Sequence, residues 1–198
     1  SDLLQYAMTV PHFEAISCAI SYRPSTAAAA GKEEAWSWKH SNIMIDEKED
    51  DYYCNGVRGI KTGNLQEGGR CIACKASRDG NNYLLVCMNA PMYDEEGAPQ
   101  FYHLSDAKGI LEWAFTHLSF QEILPENKEL DEIEVVNAKG ADYVILTPAE
   151  GYSCMWCDTA DISSVQQIKG WVTEVDAPVK AGDKLGTVTL KLSGETLA

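Results

Sequence analysis

Apolar residues recur at helical spacing at the start of the chain. Leu3, Leu4 and Ala7 fall on one helix face, so the pattern predicts helix over residues 2–17. Pro11 lies inside this segment and has no amide hydrogen to donate. We therefore expect two short helical pieces with a break near Pro11.

Strand-like runs occupy the middle of the chain, at residues 71–77 and 83–89. Asp79-Gly80 separates them, and this pair is typical of two-residue hairpin turns. The apolar spacing then returns to a helical period over residues 105–117, with Ser105 as the expected N-cap. The N-terminal part is thus expected to combine helices with antiparallel strands.

The second part of the chain has a different pattern. Short strand-like runs are separated by Pro, Gly, Asn and Asp, which is typical of a small all-β sandwich or barrel. The runs are residues 120–124, 133–137, 143–147, 152–156, 166–175 and 185–192. We place the domain boundary so that residues 1–118 form one domain and residues 119–198 the other.

The charge of the chain limits its partners. Its 198 residues include 16 Lys+Arg and 30 Asp+Glu, for a formal net charge of −14. This balance argues against nucleic acid as a partner, because no excess of cations is present to neutralise phosphates. No apolar run reaches the roughly 18 residues that a membrane helix needs. The acidic run at residues 46–51 is expected to be a solvated loop.

Seven cysteines raise the question of a metal site. Two pairs have the Cys-x-x-Cys spacing of zinc ligands, Cys71/Cys74 and Cys154/Cys157. The first pair lies in a predicted strand, where residues three apart point to opposite faces and their sulfur atoms diverge. The two pairs also fall in different predicted domains. We therefore predict buried or free thiols and no metal, with a four-thiolate zinc site as the alternative.

Lys61-Thr62-Gly63 is the motif with the clearest chemical meaning, because of its context. Residues 56–60 lead into it, a glycine-rich turn follows at residues 67–70, and the hairpin with Arg78-Asp79-Gly80 comes next. In this order the segments resemble the low-molecular-weight, serine-type D-alanyl-D-alanine carboxypeptidases of the penicillin-binding protein family. Residues 177–183 resemble the C-terminal domain of that family, so the resemblance covers nearly the whole chain.

The resemblance implies a fold class and a set of site residues. The fold is α+β: part of a transpeptidase or β-lactamase-like domain, with an antiparallel sheet and helices, followed by a small all-β sandwich-like domain. Lys61, Thr62 and Gly63 are the implied catalytic residues, and the backbone N–H of Asn64 is implied to complete the oxyanion hole. His103 stands where the family often has an arginine that contacts the substrate carboxylate, so it is implied to bind substrate, with a structural surface histidine as the alternative. No cofactor is implied.

The nucleophile motifs of that family are not found where they are expected. Ser-x-x-Lys and Ser-x-Asn should both precede Lys61, but Ser-x-Asn is absent and Ser-x-x-Lys occurs only at Ser105 and Lys108. We therefore expect the C-terminal part of such an enzyme, without a nucleophile and inactive alone. Without the covering N-terminal part, we also expect exposed apolar surface on the sheet, or self-association through it.

The resemblance also implies partners and a location for the parent protein. It would remove the terminal D-alanine from peptidoglycan stem peptides ending in D-Ala-D-Ala through an acyl-enzyme, and penicillins would inhibit it. It would act outside the cytoplasm at the cell envelope, held by a membrane anchor. The alternative is a non-catalytic cell-wall binding or scaffolding module derived from the same family.

Overall fold

The computed structural model describes residues 1–23 and 37–198. The chain forms two compact units, Ser1–Thr116 and His117–Ala198. The α+β fold class expected from the sequence is confirmed, because helices and antiparallel strands build the first unit and strands dominate the second.

The first unit begins with the two short helices that the sequence predicts. Helix α1 spans Asp2–Thr9 and α2 spans Phe13–Ser17. Two-residue strands follow, β1 at Ser21–Tyr22 and β2 at Trp38–Lys39, and they pair antiparallel. A short 3₁₀ helix covers Ile43–Ile45, and an exposed loop at residues 47–51 matches the solvated acidic run.

An antiparallel sheet in the order β3-β4-β5 forms the centre of this unit. Its strands are β3 at Val57–Leu65, β4 at Gly69–Arg78 and β5 at Asn81–Ala90. The β4–β5 turn has positive φ at both Asp79 (51°) and Gly80 (84°), as a type I′ turn requires. The predicted hairpin is confirmed, and its two-residue turn sets the register that places alternate residues of β4 on one face.

Helix α3, at Tyr102–His117, packs on that face of the sheet. The buried core consists of side chains from the sheet, the helix and the loop before β3: Met44, Cys54, Val57, Ile72, Cys74, Ala76, Leu85, Leu104, Ala107 and Leu111. Cys74 is fully buried, and burial raises the pKa of its thiol to about 12. The helix and the sheet therefore hold each other in place by apolar burial.

The start of α3 differs from the sequence prediction. The helix begins at Tyr102, so Ser105 lies within its first turn and its hydroxyl donates to the carbonyl of Tyr102 at 3.1 Å. The prediction of Ser105 as N-cap is wrong, because His103 and Leu104 are buried and continue the packed face one turn earlier. Local capping preference is worth about 1 kcal/mol, less than burying a leucine side chain.

An ion pair joins α3 to the end of the hairpin. The guanidinium of Arg78 donates to both carboxylate oxygens of Glu112, at 2.7 and 2.8 Å, and lies 4.3 Å above the ring of Phe115. The thiol of Cys54 donates to the same carboxylate at 3.4 Å. This ion pair with two hydrogen bonds fixes the position of the helix along the strands, while the apolar core holds the helix against the sheet.

The opposite face of the sheet carries exposed apolar side chains. On β5, Leu84, Val86 and Met88 are 36%, 44% and 74% exposed. The neighbouring Lys75 on β4 forms an ion pair with Glu14 of α2. The expected exposed apolar surface is therefore present, while self-association through it stays a prediction.

The second unit consists of strands arranged in small sheets. Its strands are β6 (Leu118–Leu124), β7 (Asp131–Val136), β8 (Tyr143–Leu146), β9 (Tyr152–Cys157), β10 (Gln166–Trp171), β11 (Glu174–Asp176), β12 (Gly186–Leu192) and β13 (Glu195–Thr196). They form the sheets β6-β9, β11-β7-β8 and β10-β12-β13. Ile123, Leu124, Trp156 and Leu190 form their buried core. The predicted run at residues 166–175 is two strands, because β10 and β11 belong to different sheets.

All seven cysteines are free thiols, and the two Cys-x-x-Cys pairs lie on different units. Over residues 1–23 and 37–198, no three His, Cys, Asp or Glu side chains group as metal ligands would. In the same part of the chain, no helix has the length and apolar character needed to cross a bilayer.

Candidate active site

A cavity of about 370 Å³ opens beside the second half of β3. Residues from four segments line it: Ser41, Ile43, Lys61, Thr62, Gly63, Asn64, Arg70, Phe101, His103 and Leu104. All five site residues expected from the sequence are among them, as are Ser41 and Arg70, which the sequence analysis did not select. Among the residues that the structure describes, the lining contains cations and hydroxyl groups but no Asp or Glu.

Strand β3 places its motif at an open edge of the sheet. Lys61, Thr62 and Asn64 pair with Ala73, Ile72 and Arg70 of β4, and a register shift precedes Lys61. In the sheet as described, β3 has a partner on one side only. The strand extends to Leu65, two residues beyond Gly63. An extended peptide can therefore pair with this edge through backbone hydrogen bonds.

The Lys61 and Thr62 side chains provide polar groups at this edge. Lys61 is exposed and its ammonium group donates to the carbonyl of Thr62. The Thr62 hydroxyl lies 2.7 Å from the hydroxyl of Ser41, so the two can exchange donor and acceptor roles. The cavity thus has a cation and a pair of hydroxyl groups, which Lys61, Thr62 and the separate Ser41 segment bring together.

Ser41 is held in place by the two residues that flank it. The amide nitrogen of Asn42 donates to Nδ1 of His40 at 2.9 Å, which leaves Nε2 to donate to the carbonyl of Ser17. The buried Asn42 side chain donates to the carbonyl of Gly59 at 2.6 Å. These bonds anchor the serine against β3, so His40 has a structural role.

Gly59 allows this close arrangement of segments. It has φ +49°, and a Cβ atom at this position would overlap the carbonyl oxygen of Ser17. Only a residue without a side chain tolerates both conditions. The glycine therefore lets α2 and the Asn42 side chain approach β3 just before the Lys-Thr-Gly motif.

Arg70 lies across the sheet from Asn64 and stacks on an aromatic ring. Its guanidinium carbon is 4.1 Å from the centre of the Phe101 ring, and Phe101 in turn packs against Tyr52 at 5.7 Å between ring centres. The Arg70 Nε–H is buried without a hydrogen-bond acceptor among the residues that the structure describes.

His103 is 5% exposed and faces the same cavity from α3. Burial lowers the pKa of its imidazole, and the nearby positive charge of Arg70 lowers it further. Its Nδ1 atom has no hydrogen-bond partner within the described segments. At neutral pH this position therefore holds an uncharged imidazole.

Ser105 and Lys108 lie outside the cavity lining. Besides the Ser105 hydroxyl bond to Tyr102, the Lys108 ammonium group donates to the backbone carbonyls of Asp50 and Asp51, at 3.2 and 3.0 Å. These contacts hold the acidic loop on α3. The pair does not form a nucleophile and base at the cavity.

Comparison with solved structures shows which fold surrounds this cavity. A scan against protein-family models gives no match. A penicillin-binding protein 3 from Streptococcus pneumoniae, described as a peptidoglycan synthesis regulatory factor, superposes with a TM-score of 0.55 at 16% identity, over 96% of this chain and 48% of that one. The carboxypeptidase DacD from Francisella tularensis gives a TM-score of 0.52 at 18% identity, over 82% of this chain and 37% of that one.

Sequence similarity leads to the same family. The D-alanyl-D-alanine carboxypeptidase DacF of Bacillus subtilis (strain 168) is 26% identical over 143 residues, which is 72% of this chain. The chain is thus similar in sequence and in fold to low-molecular-weight penicillin-binding proteins of the D-alanyl-D-alanine carboxypeptidase type. It spans 35% of the length of DacF.

Proposed function

We propose that this chain carries the Lys-Thr-Gly side of the active site of a serine-type D-Ala-D-Ala carboxypeptidase. The intact protein removes the terminal D-alanine from peptidoglycan stem peptides and works outside the cytoplasm, at the cell envelope. The observation that carries the proposal is the placement of Lys61 to Asn64 along an open strand edge, beside a cavity whose described lining residues include no carboxylate. The relation to DacF supports the same reaction.

The reaction needs a serine from the part of the intact protein outside this chain. Its hydroxyl attacks the carbonyl carbon of the penultimate D-alanine, and its proton passes through a base to the leaving nitrogen as the C–N bond breaks. Terminal D-alanine leaves as a free amino acid, and water then hydrolyses the ester. The isolated chain is therefore inactive in this proposal.

Each site residue has a role that follows from its chemistry. The strand edge at Gly63 pairs with the peptide, and the missing side chain permits close approach. The Asn64 N–H donates to the oxyanion with the N–H of the serine. Lys61 supplies positive charge near the transferred proton, and the Thr62 hydroxyl donates to the substrate. His103 contributes an uncharged ring to the wall of the site.

Covalent labelling with a fluorescent penicillin tests the proposal. We expect the intact protein that contains this chain to form a stable adduct, and the 198-residue chain alone to form none. Lys61→Met should slow acylation by about 100-fold or more, the scale for loss of a preorganised electrostatic group. Lys184→Met, an exposed lysine of the second unit, is the matched control and should keep the wild-type rate.

Two results would contradict the proposal. An intact protein that binds no penicillin covalently would favour a non-catalytic cell-wall binding module. Equal acylation rates for wild type and Lys61→Met would remove Lys61 from the site, even if the protein were labelled.

A further inference from the structure

We propose that Arg70 recognises the free carboxylate at the C-terminus of the substrate peptide. This inference rests on the proposed function and names the group that gives the site its preference for a terminal D-alanine. In the family that the chain resembles, an arginine at the position of His103 is expected to make this contact with the carboxylate. The structure offers a different cation, on the neighbouring strand.

The position of Arg70 fits a carboxylate that follows a peptide along β3. Arg70 is paired with Asn64, the residue directly after the Lys-Thr-Gly motif, so the two face each other across adjacent strands. Both residues line the same cavity as Lys61 and Thr62. A peptide paired with the open edge of β3 at these residues therefore borders the cavity that Arg70 also lines.

The Arg70 guanidinium is held in place by stacking and is not paired with an acid in the described part of the chain. Stacking on Phe101 fixes its plane, and a planar fork of N–H donors matches the two oxygens of a carboxylate. Its buried Nε–H has no acceptor among residues 1–23 and 37–198. By contrast, Arg78 on the same strand already binds the Glu112 carboxylate with both terminal nitrogens. Arg78 Nε is buried and unpaired as well, so the difference between the two arginines is the carboxylate that Arg78 binds and that Arg70 lacks among the described residues.

The charges around the cavity favour the same ligand. The chain has a net charge of −14, yet the cavity lining, within residues 1–23 and 37–198, holds Lys61 and Arg70 and no acidic residue. His103 is uncharged at neutral pH because burial lowers its pKa. Lys61 is a compact charge whose ammonium group donates to the Thr62 carbonyl. Arg70 is therefore the group with the geometry for two-point carboxylate recognition.

The test compares an acyl-D-Ala-D-Ala peptide with its C-terminal amide, which lacks only the negative charge. For the intact protein, kcat/KM is measured for both, and binding of both is measured by calorimetry. We expect a preference for the free acid that falls about 10- to 100-fold in Arg70→Met, the scale for loss of a charged hydrogen-bonded pair. The ratio of acid to amide does not depend on how much of the sample is folded.

Two further variants accompany Arg70→Met. Arg70→Lys keeps the positive charge and the aliphatic stem but loses the planar pair of N–H donors, so it should retain only part of the preference for the free acid. If Arg70→Met does not fold, the acid-to-amide ratio of Arg70→Lys is the test of the proposal. Arg58→Gln removes an exposed arginine of β3 that lines a different cavity, and it should keep the full preference.

The outcomes separate the two proposals. If Arg70→Met, or Arg70→Lys in its place, keeps the wild-type ratio, Arg70 is not the carboxylate-binding group, even though the carboxypeptidase activity stands. If the wild type cleaves neither peptide but binds the acid over the amide through Arg70, the proposed function fails and this inference holds. Equal wild-type binding of acid and amide overturns the inference directly.

Discussion

Individual side chains in this protein take their chemistry from their neighbours. Arg70 and Arg78 lie eight residues apart on one strand, yet one stacks on an aromatic ring at a cavity and the other holds a carboxylate. Glu112 shows the effect on a pKa, which is lowered chiefly because Arg78 donates hydrogen bonds to the charged form. The Cys54 thiol responds in the opposite sense: burial and the adjacent carboxylate raise its pKa to about 11.

Replacing Glu112 by Gln should destabilise the first unit. The fork to Arg78 is lost, and because the Glu112 side chain is 44% exposed, solvent screening limits the cost to about 1 kcal/mol. The pKa of Glu112 is lower in the folded protein than in the unfolded chain. The ion pair with Arg78 therefore stabilises the fold fully above the ordinary glutamate pKa of about 4.3, and this stabilisation is lost as the pH falls through the lower pKa of the folded state. The free energy of unfolding, measured from pH 7 down to pH 3, should therefore fall less steeply for Glu112→Gln than for wild type.

Glu67→Gln is the control for that measurement, because Glu67 is exposed in the β3–β4 turn. It should follow the wild-type profile. The same acid dependence in Glu112→Gln and wild type would show that the fork contributes nothing to stability.

At the scale of single elements, helix α3 depends on one buried face. His103, Leu104, Ala107, Leu111 and Ala114 are the buried residues of the helix, at the spacing of one helical stripe. Its other side, including Ile110, is exposed. Since this stripe packs on the sheet that carries the motif, the helix that holds His103 at the cavity depends on the same core.

Leu111→Ala should destabilise the first unit by about 2–5 kcal/mol. Leu111 is 1% exposed, so truncation removes apolar contacts and leaves a cavity between helix and sheet. The neighbouring Ile110, at 55% exposed, provides the control, and Ile110→Ala should change stability by less than about 1 kcal/mol. Chemical denaturation monitored by circular dichroism measures both, and similar losses for the two variants would contradict the packing described here.

For the whole molecule, the main feature is the division into two units with separate cores. The first core lies between α3 and the β3-β4-β5 sheet, and the second is formed by Ile123, Leu124, Trp156 and Leu190. Residues of the second core lie on β6, β9 and β12, which are far apart in sequence. That core is therefore complete within residues 117–198.

Residues 117–198 expressed alone should fold and unfold in one cooperative transition. Leu190→Ala, at a residue 1% exposed, should lower the midpoint strongly, while Ile168→Ala on the adjacent strand, 46% exposed, should lower it little. Thermal unfolding followed by circular dichroism tests this. A non-cooperative melt of the separate unit would show that its core needs residues 1–116.

Local sequence patterns were sufficient to predict those elements whose conformation depends on their own residues. The Asp79-Gly80 turn, the strands on either side of it and the break in the first helix were all predicted, because φ preference and side-chain alternation act over a few residues. The run at residues 166–175 was predicted as one strand, since nothing local reveals that β10 and β11 pair with different partners.

The candidate site shows the same division between local and long-range information. The sequence by itself predicted Lys61-Thr62-Gly63, Asn64 and His103 as site residues, because their order along the chain resembles a known family, and all five line the cavity. Only the tertiary structure brought in Ser41 and Arg70, since the 2.7 Å contact with Thr62 and the pairing with Asn64 depend on segment packing and strand register. The start of α3 at Tyr102, three residues before the predicted N-cap Ser105, also depends on the tertiary structure. Burial of Leu104 against the sheet outweighs the capping preference of Ser105.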